Sequence, residues 1–228
     1  MSEAVLIVAA HPDDEVLGCG GTIAKLAVDR PVHIVILGEG ISSRYDARQE
    51  ADAASLQQLR GDAEAVAAML GAKSLTLEGL PDNRFDELPL LDVIKRVERL
   101  VKALKPTVIY THHPGDLNID HLVTFRAVMT ATRPTAGCPV RDIYTFEVGS
   151  STEWAFQQFE PVFRPNVFVD ISETLDVKVA AMARYESEAR VFPHPRSGQA
   201  LRVAAQRWGS VTELPAAEAF HLVRSIRA

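Results

Sequence analysis

Residues 5–15 constrain this chain more than any other stretch. Val5-Leu6-Ile7-Val8 is a short apolar run, and Ala9-Ala10-His11-Pro12-Asp13-Asp14-Glu15 follows it at once. A run this short, flanked by Ala and ended by a Pro, reads as a buried strand. It delivers one imidazole and three carboxylates to its C-terminal end within five residues. Such groups repel one another and are costly to bury unless something positive sits among them. In an open α/β sheet, the C-terminal ends of strands are where ligands bind. A divalent metal ion is the simplest explanation of both facts.

The rest of the chain supplies such a sheet. Strand patterns are read at 32–37, 74–77, 107–110, 143–146 and 167–169. Helical patterns alternate with them at 23–28, 52–70, 90–104, 122–132, 172–188 and 199–208. In the second helix Leu56, Leu59, Ala63, Val66 and Leu70 share a face, and Gly71 stops it; Pro106 ends the third. Alternation of this kind predicts an α/β fold, a Rossmann-like three-layer sandwich with a mostly parallel sheet and helices on both faces. At 228 residues the chain suits one domain, 1–228. The pattern loosens after Pro134, and that part is expected to complete the sheet and roof the site.

Composition narrows the function. A net charge of −6 argues against a nucleic-acid binder, which usually shows a basic patch. No segment approaches the apolar length of a membrane span. Met1-Ser2-Glu3 leads straight into the first strand without a basic stretch, so the expectation is a soluble cytoplasmic protein. Cys19 and Cys138 are the only cysteines, which rules out a disulfide scaffold or a cysteine-rich zinc site.

A second cluster follows the strand at 107–110: Thr111-His112-His113-Pro114-Gly115-Asp116-Leu117-Asn118-Ile119-Asp120-His121. Two strands of one parallel sheet can bring such ends together. Zinc accepts His nitrogen and carboxylate oxygen, and a catalytic zinc keeps three protein ligands plus water. Each residue also has a plainer reading. His-Pro-Asp is an ordinary turn whose Asp can cap a helix at Val16, and Asp120 can cap one starting at His121. Against that, five of the seven histidines (His11, His112, His113, His121 and His194) fall near those strand ends. His33 and His221 read as packing or surface residues.

With both motifs in view, the chain resembles the zinc-dependent de-N-acetylases, the PIG-L/LmbE-like family that includes the mycothiol- and bacillithiol-pathway deacetylases. The resemblance extends to Gly38-Glu39-Gly40, to Arg60 and Glu64, and to Tyr185, His194 and Arg196. It implies one metal ion per chain, held by His11, Asp14 and His121, with Asp13 as general base and a water completing the coordination. Zinc is the expected ion, and iron(II), cobalt(II) or manganese(II) would suit the same mixed donors. Glu15 faces the helix N-terminus or supports the ligands. Asn118, Asp120 and His194 are further catalytic candidates. Several relatives have His-x-Asp-His in the second motif; here Asn118 stands at the first His. Asn can donate a hydrogen bond to an oxyanion but cannot titrate, so the general acid is either Asp13 itself or His194.

The implied reaction is removal of an N-acetyl group from an N-acetylglucosamine-type sugar or conjugate. Arg44 resembles the arginine with which relatives hold the sugar or its phosphate. Asp116 and Asp82 are candidates for sugar hydroxyls, and Arg196 or Arg84 for an anionic group. Arg60 reads as a surface partner of Glu64. Members of the family often form homo-oligomers, though no exposed apolar helix face argues for one here. Two rivals stand beside this reading. One is an amidase on a non-sugar amide, which would share every metal residue. The other is a nucleotide-binding protein using Gly18, Gly20 and Gly21, whose spacing does not satisfy G-x-G-x-x-G.

Overall fold

The computed structural model describes residues 3–227; Met1 and Ser2, from which the approach to the first strand was read, lie outside it, as does Ala228. Seven strands form one sheet: β1 (Val5–Ala9), β2 (Val32–Gly38), β3 (Ser74–Leu80), β4 (Val108–His112), β5 (Asp142–Phe146), β6 (Val167–Asp170) and β7 (Ala217–Arg224), in the order β3-β2-β1-β4-β5-β7-β6. The β1–β5 pairings are parallel, while β7 runs antiparallel to both its neighbours. Six α-helices cover it: α1 (Asp14–Leu26), α2 (Ala53–Met69), α3 (Leu90–Leu104), α4 (Ile119–Ala131), α5 (Leu175–Arg184) and α6 (Gly198–Val211). The fold is the expected α/β three-layer sandwich.

Period-two alternation of β1 explains the two cores. Val5, Ile7 and Ala9 pack with α1, α2 and α5 on one face. Leu6, Val8 and Ala10 pack with α3 and α4 on the other. The order reverses between β1 and β4, which pair directly from Val5↔Val108 to Val8↔Thr111. That is the switch point where open α/β sheets bind ligands, and both polar motifs leave the sheet there.

Four elements differ from the sequence reading, among them α5, which spans Leu175–Arg184 and not 172–188. α1 begins at Asp14, nine residues before Ile23, and runs through Gly18-Cys19-Gly20-Gly21 with a break at Cys19 (φ −151°, ψ 24°). Glycine is needed there for close approach. A Cβ on Gly18 would stand 2.2 Å from the Phe146 ring, and one on Gly21 would stand 2.9 Å from Ile171. The N–H groups of Gly21 and Thr22 donate to Glu218 at 3.0 and 2.7 Å. Lys178, which donates to Glu218 at 2.6 Å and to the Leu17 carbonyl at 2.9 Å, balances that buried carboxylate. α4 starts at Ile119 because Asn118 caps it, its Oδ1 accepting from the Asp120 N–H at 2.8 Å. Asp120 and His121 therefore sit inside the first turn, and Asp120 is not the cap. β7 reads in the sequence only as a late apolar segment.

Candidate active site

The N-terminal motif turns sharply as it leaves β1. Asp13 takes φ 106°, ψ −28°, a conformation that costs a non-glycine residue on the order of 1–3 kcal/mol. Its carbonyl accepts from Val16 and Leu17 and so starts α1. Asp14, in the first turn, folds back so that its Oδ2 accepts from the His11 N–H at 2.8 Å. The same oxygen lies 3.3 Å from His11 Nδ1 and 3.3 Å from His121 Nε2. His11, Asp14 and His121 thus converge, all buried.

Each imidazole is held from behind. His11 Nε2 donates to Asp120 Oδ2 at 2.9 Å, and Asp120 Oδ1 accepts from the Phe85 N–H at 2.9 Å. His121 Nδ1 lies 3.1 Å from Asp116 Oδ1. Asp116 also accepts from Thr152 Oγ1 at 2.6 Å, from Ser151 Oγ and from the Asn118 N–H. Carboxylates behind histidines in this way fix the free nitrogen toward a shared point. His121 Nε2 has no hydrogen-bond partner among the described residues.

The cluster draws positive charge. Burial opposes ionisation of Asp14, yet His121, His112 and the His11 hydrogen bond hold its carboxyl well below the usual range. Burial also disfavours charge on His121, but Asp14 and Asp116 lift its pKa to about 9. Against its own burial, His11 is raised by Asp120 and Asp14. Burial works against Asp116 too, which His121, Ser151 and Thr152 bring down to about 2. A buried nitrogen without a partner beside a carboxylate and a second imidazole fits a divalent cation such as zinc. A second group, His11 with Asp82 and Asp120, fits less well. Asp120 is already engaged by two donors, and Asp82 accepts from Ser43 N–H, Ser43 Oγ and Asn83 Nδ2.

Asp13 stands beside these donors and is not part of either group. Its Oδ2 lies 3.0 Å from Arg196 Nη1 but is not aligned for a hydrogen bond. Burial pushes its carboxyl well above the ordinary range, with Arg196 pulling the other way and Asp14, Glu188 and Glu15 adding to the rise. Its backbone N–H donates to Glu15 Oε2 at 3.1 Å, and Tyr185 OH donates to Glu15 Oε1 at 2.6 Å. Burial moves Glu15 up to about 7, with the Tyr185 hydrogen bond opposing.

Around Asp13, Asp14, His11 and His121 opens a cavity of about 200 Å³. Its wall is polar: Ser43, Arg44, Asp82, Asn83, Asn118, Ser150, Ser151, Glu188 and Arg196. Two expectations are corrected. Asp116 does not line the cavity; it is spent on His121, Ser151, Thr152 and the Asn118 N–H. His194 does not line it either: its Nδ1 accepts from the Arg196 N–H at 3.1 Å and its ring meets Trp154 edge-on at 5.6 Å. Asp120 acts on His11 from behind. Asn118 does reach the cavity, but its Nδ2 donates to Asn83 Oδ1 at 2.8 Å. Arg44 is paired with Glu188, and Arg60 is the exposed partner of Glu64. His112 is buried behind the site, its Nε2 accepting from the Ala10 N–H at 2.8 Å. His113 is turned to the Pro161 carbonyl, and Arg84 to Glu87. His33 contacts Ser74, and His221 the Arg164 carbonyl, as packing or surface residues do.

Sequence reasoning missed Glu188, Ser43, Ser150, Ser151 and Asn83. None carries a local signal. Glu188 meets Arg44 across 144 positions and Ser150 meets Arg196 across 46.

Comparison with known proteins identifies the family. The family profile described as PIG-L, GlcNAc-PI de-N-acetylase, matches residues 6–132, which span both motifs. The chain belongs to the PIG-L family. It is 29% identical to the uncharacterized deacetylase YaiS of Escherichia coli over 81% of this chain and 91% of that protein. It is also 29% identical to the diacetylchitobiose deacetylase of Thermococcus kodakarensis, over 81% of this chain and 69% of that one. Among solved structures, the 4-carboxy-2-hydroxymuconate hydratase GalB of Pseudomonas putida shares the fold, with a TM-score of 0.76 and 23% identity over 99% of this chain and 98% of that one. Among the described residues no helix is long and apolar enough to cross a membrane.

Proposed function

We propose that this PIG-L protein is a metal-dependent deacetylase that hydrolyses the N-acetyl group of an N-acetylglucosamine-type sugar or conjugate. One observation carries the reading. His121 Nε2 and Asp13 Oδ2, two of the buried atoms without hydrogen-bond partners among the described residues, belong to residues of the same polar cavity, which Asp14 and His11 also line. One atom suits a cation and the other suits a proton. Family membership supports the choice of reaction, which the fold alone would not make, since GalB is a hydratase.

His11, Asp14 and His121 would hold the ion, zinc being the expected one. When bound, such an ion supplies Lewis acidity, polarising an amide carbonyl and lowering the pKa of a water to about 7. The chain's own residues do the rest. Asp13 accepts the proton of the attacking water on its carboxylate, which has Arg196 beside it but no aligned hydrogen-bond donor, and its buried, raised carboxyl returns that proton to the leaving amine. Asp13 serves as both base and acid because the alternative acid, His194, does not line the cavity and has its ring against Trp154. Asp120 and Asp116 keep the two imidazoles oriented. Ser43, Asn83, Asn118, Ser150 and Ser151 offer hydroxyls and amides that match the hydroxyls of a sugar.

The test is acetate release by the zinc-loaded protein from N-acetylglucosamine, its phosphates, nucleotide sugars, glycosides and chitooligosaccharides. Acetate and free amine in equal amounts from at least one of them is the expected result. Release from none, with turnover of a non-sugar N-acetyl amide, would replace this reading by the amidase.

A further inference from the structure

We propose that Glu188 sets the charge of the substrate: by occupying both arginines of the cavity, it makes the site select uncharged N-acetylamino sugars over phosphorylated ones. The inference rests on the deacetylase reading above. Arg44 and Arg196 both line the cavity, and a guanidinium is the usual partner of a phosphate group because its fork of donors matches two oxygens. Here each guanidinium is already engaged with Glu188, through Arg44 Nη2 and Arg196 Nη1. Arg44 Nη2 donates to Glu188 Oε1 at 2.7 Å and Oε2 at 2.6 Å. Arg196 Nη1 donates to Glu188 Oε2 at 3.0 Å and lies 3.0 Å from Asp13 Oδ2, while its Nε donates to Ser150 Oγ at 2.7 Å. Ser187 Oγ adds a further donor to Glu188 at 3.0 Å.

Glu188 is only 5% exposed, so it is a fixed part of the wall and not a mobile surface charge. A phosphate entering the cavity would have to take donors from it, leaving a buried carboxylate short of partners, which is costly. The charge balance points the same way. With Asp13 ionised, as a base must be, and the imidazoles neutral, as metal ligands must be, four carboxylates (Asp13, Asp14, Asp82, Glu188) face two guanidiniums, a formal charge of −2, which one divalent ion on His11, Asp14 and His121 would bring to neutrality. A neutral sugar then enters a neutral cavity whose remaining polar groups are hydroxyls and amides. Glu188 stands where a substrate anion would otherwise stand.

The experiment uses Glu188→Gln, which keeps the shape and an acceptor oxygen and removes the charge. Acetate release is measured from methyl N-acetylglucosaminide and from N-acetylglucosamine 6-phosphate, for the wild type and the variant. Because both substrates depend on the same Asp13, any general loss cancels in the ratio of their kcat/KM values. The wild type is expected to favour the methyl glycoside, and the variant to shift the ratio toward the phosphate by about tenfold or more. A ratio that moves by less than about twofold, or a wild type that already prefers the phosphate, overturns the proposal. Arg44→Gln, at a half-exposed position, gives an independent check: its ratio does not move toward the phosphate, because the substitution removes a positive charge from the wall, and a shift toward the phosphate overturns the proposal. The last readout needs no turnover. Inorganic phosphate is titrated calorimetrically into zinc-loaded protein; Glu188→Gln binds it at least about tenfold more tightly than the wild type, and equal affinity of the two overturns the proposal. If the wild type releases acetate from neither sugar, the deacetylase reading falls, while the phosphate titration still decides whether Glu188 excludes anions.

Discussion

The chain up to α4 and the chain after it contribute to the cavity in different ways. The first part carries the atoms able to hold a cation, and it braces most of them itself: Asp120 supports His11, the His11 N–H binds Asp14, and Asp116 supports His121. The second part supplies no cation donor. It bears on how Asp13 stands, through Arg196 beside the carboxylate and through Tyr185, which holds the Glu15 of the first part that accepts the Asp13 N–H. The two tasks are linked where Ser151 and Thr152 hold Asp116. The difference teaches that metal retention and rate should separate along the chain.

The largest effect tests the first part. His11→Ala or His121→Ala should lose the bound metal and with it measurable turnover, because a site with two ligands of three holds its ion poorly. Metal analysis after gel filtration reads this, and full occupancy in both variants would break the assignment. Next comes Asp13→Asn, expected to keep the metal and lower kcat by about 10²- to 10⁴-fold, the usual worth of a general acid–base group. Unchanged turnover would remove Asp13 from the chemistry. Tyr185→Phe probes the second part at a distance. It should cost about tenfold in kcat with metal content and KM held, in line with other supporting hydrogen bonds. Loss of the metal instead would erase the division between the two parts.

The smallest effect concerns stability. Glu15 titrates near 7 in the folded protein against 4.5 ordinarily, so between those values the folded state binds the extra proton. Stability from this group is therefore highest below pH 4.5 and falls as pH rises to 7, by about 3 kcal/mol. Urea unfolding of metal-stripped protein across that range, compared with Glu15→Gln, isolates the term. A difference between the two that does not change with pH would show that Glu15 is not held protonated.

Much of this was legible in the sequence because it is local. The apolar run of β1 and the one at 107–110 announced buried neighbouring strands, and the two motifs follow them directly. Asp52 and Gly71 marked the ends of α2 correctly, since Asp52 caps Ser55 and Gly71 takes φ 72°. What was hidden depends on distant partners. Gly18-Cys19-Gly20-Gly21 looks like a loop, and only Phe146, Ile171 and Glu218 make it part of a helix. The Ala and Glu of β7 are poor strand formers, so its pairing with β5 and β6 overrides its propensity. Arg44 looked free to hold a phosphate because Glu188 lies far away in sequence.

The position of β7 also bears on how the molecule is made. Of the seven described strands it is the last to be synthesised, yet it lies between β5 and β6. Until it arrives, β5 has an open edge and β6 has no neighbour in the sheet, and the N–H groups that Glu218 receives from Gly21 and Thr22 stay unpinned. Synthesis thus exposes the residues able to hold a cation first and anchors the helix beginning at Asp14 last. A nascent chain stalled before residue 217 would display His11, Asp14 and His121 to any passing cation without the finished wall around them.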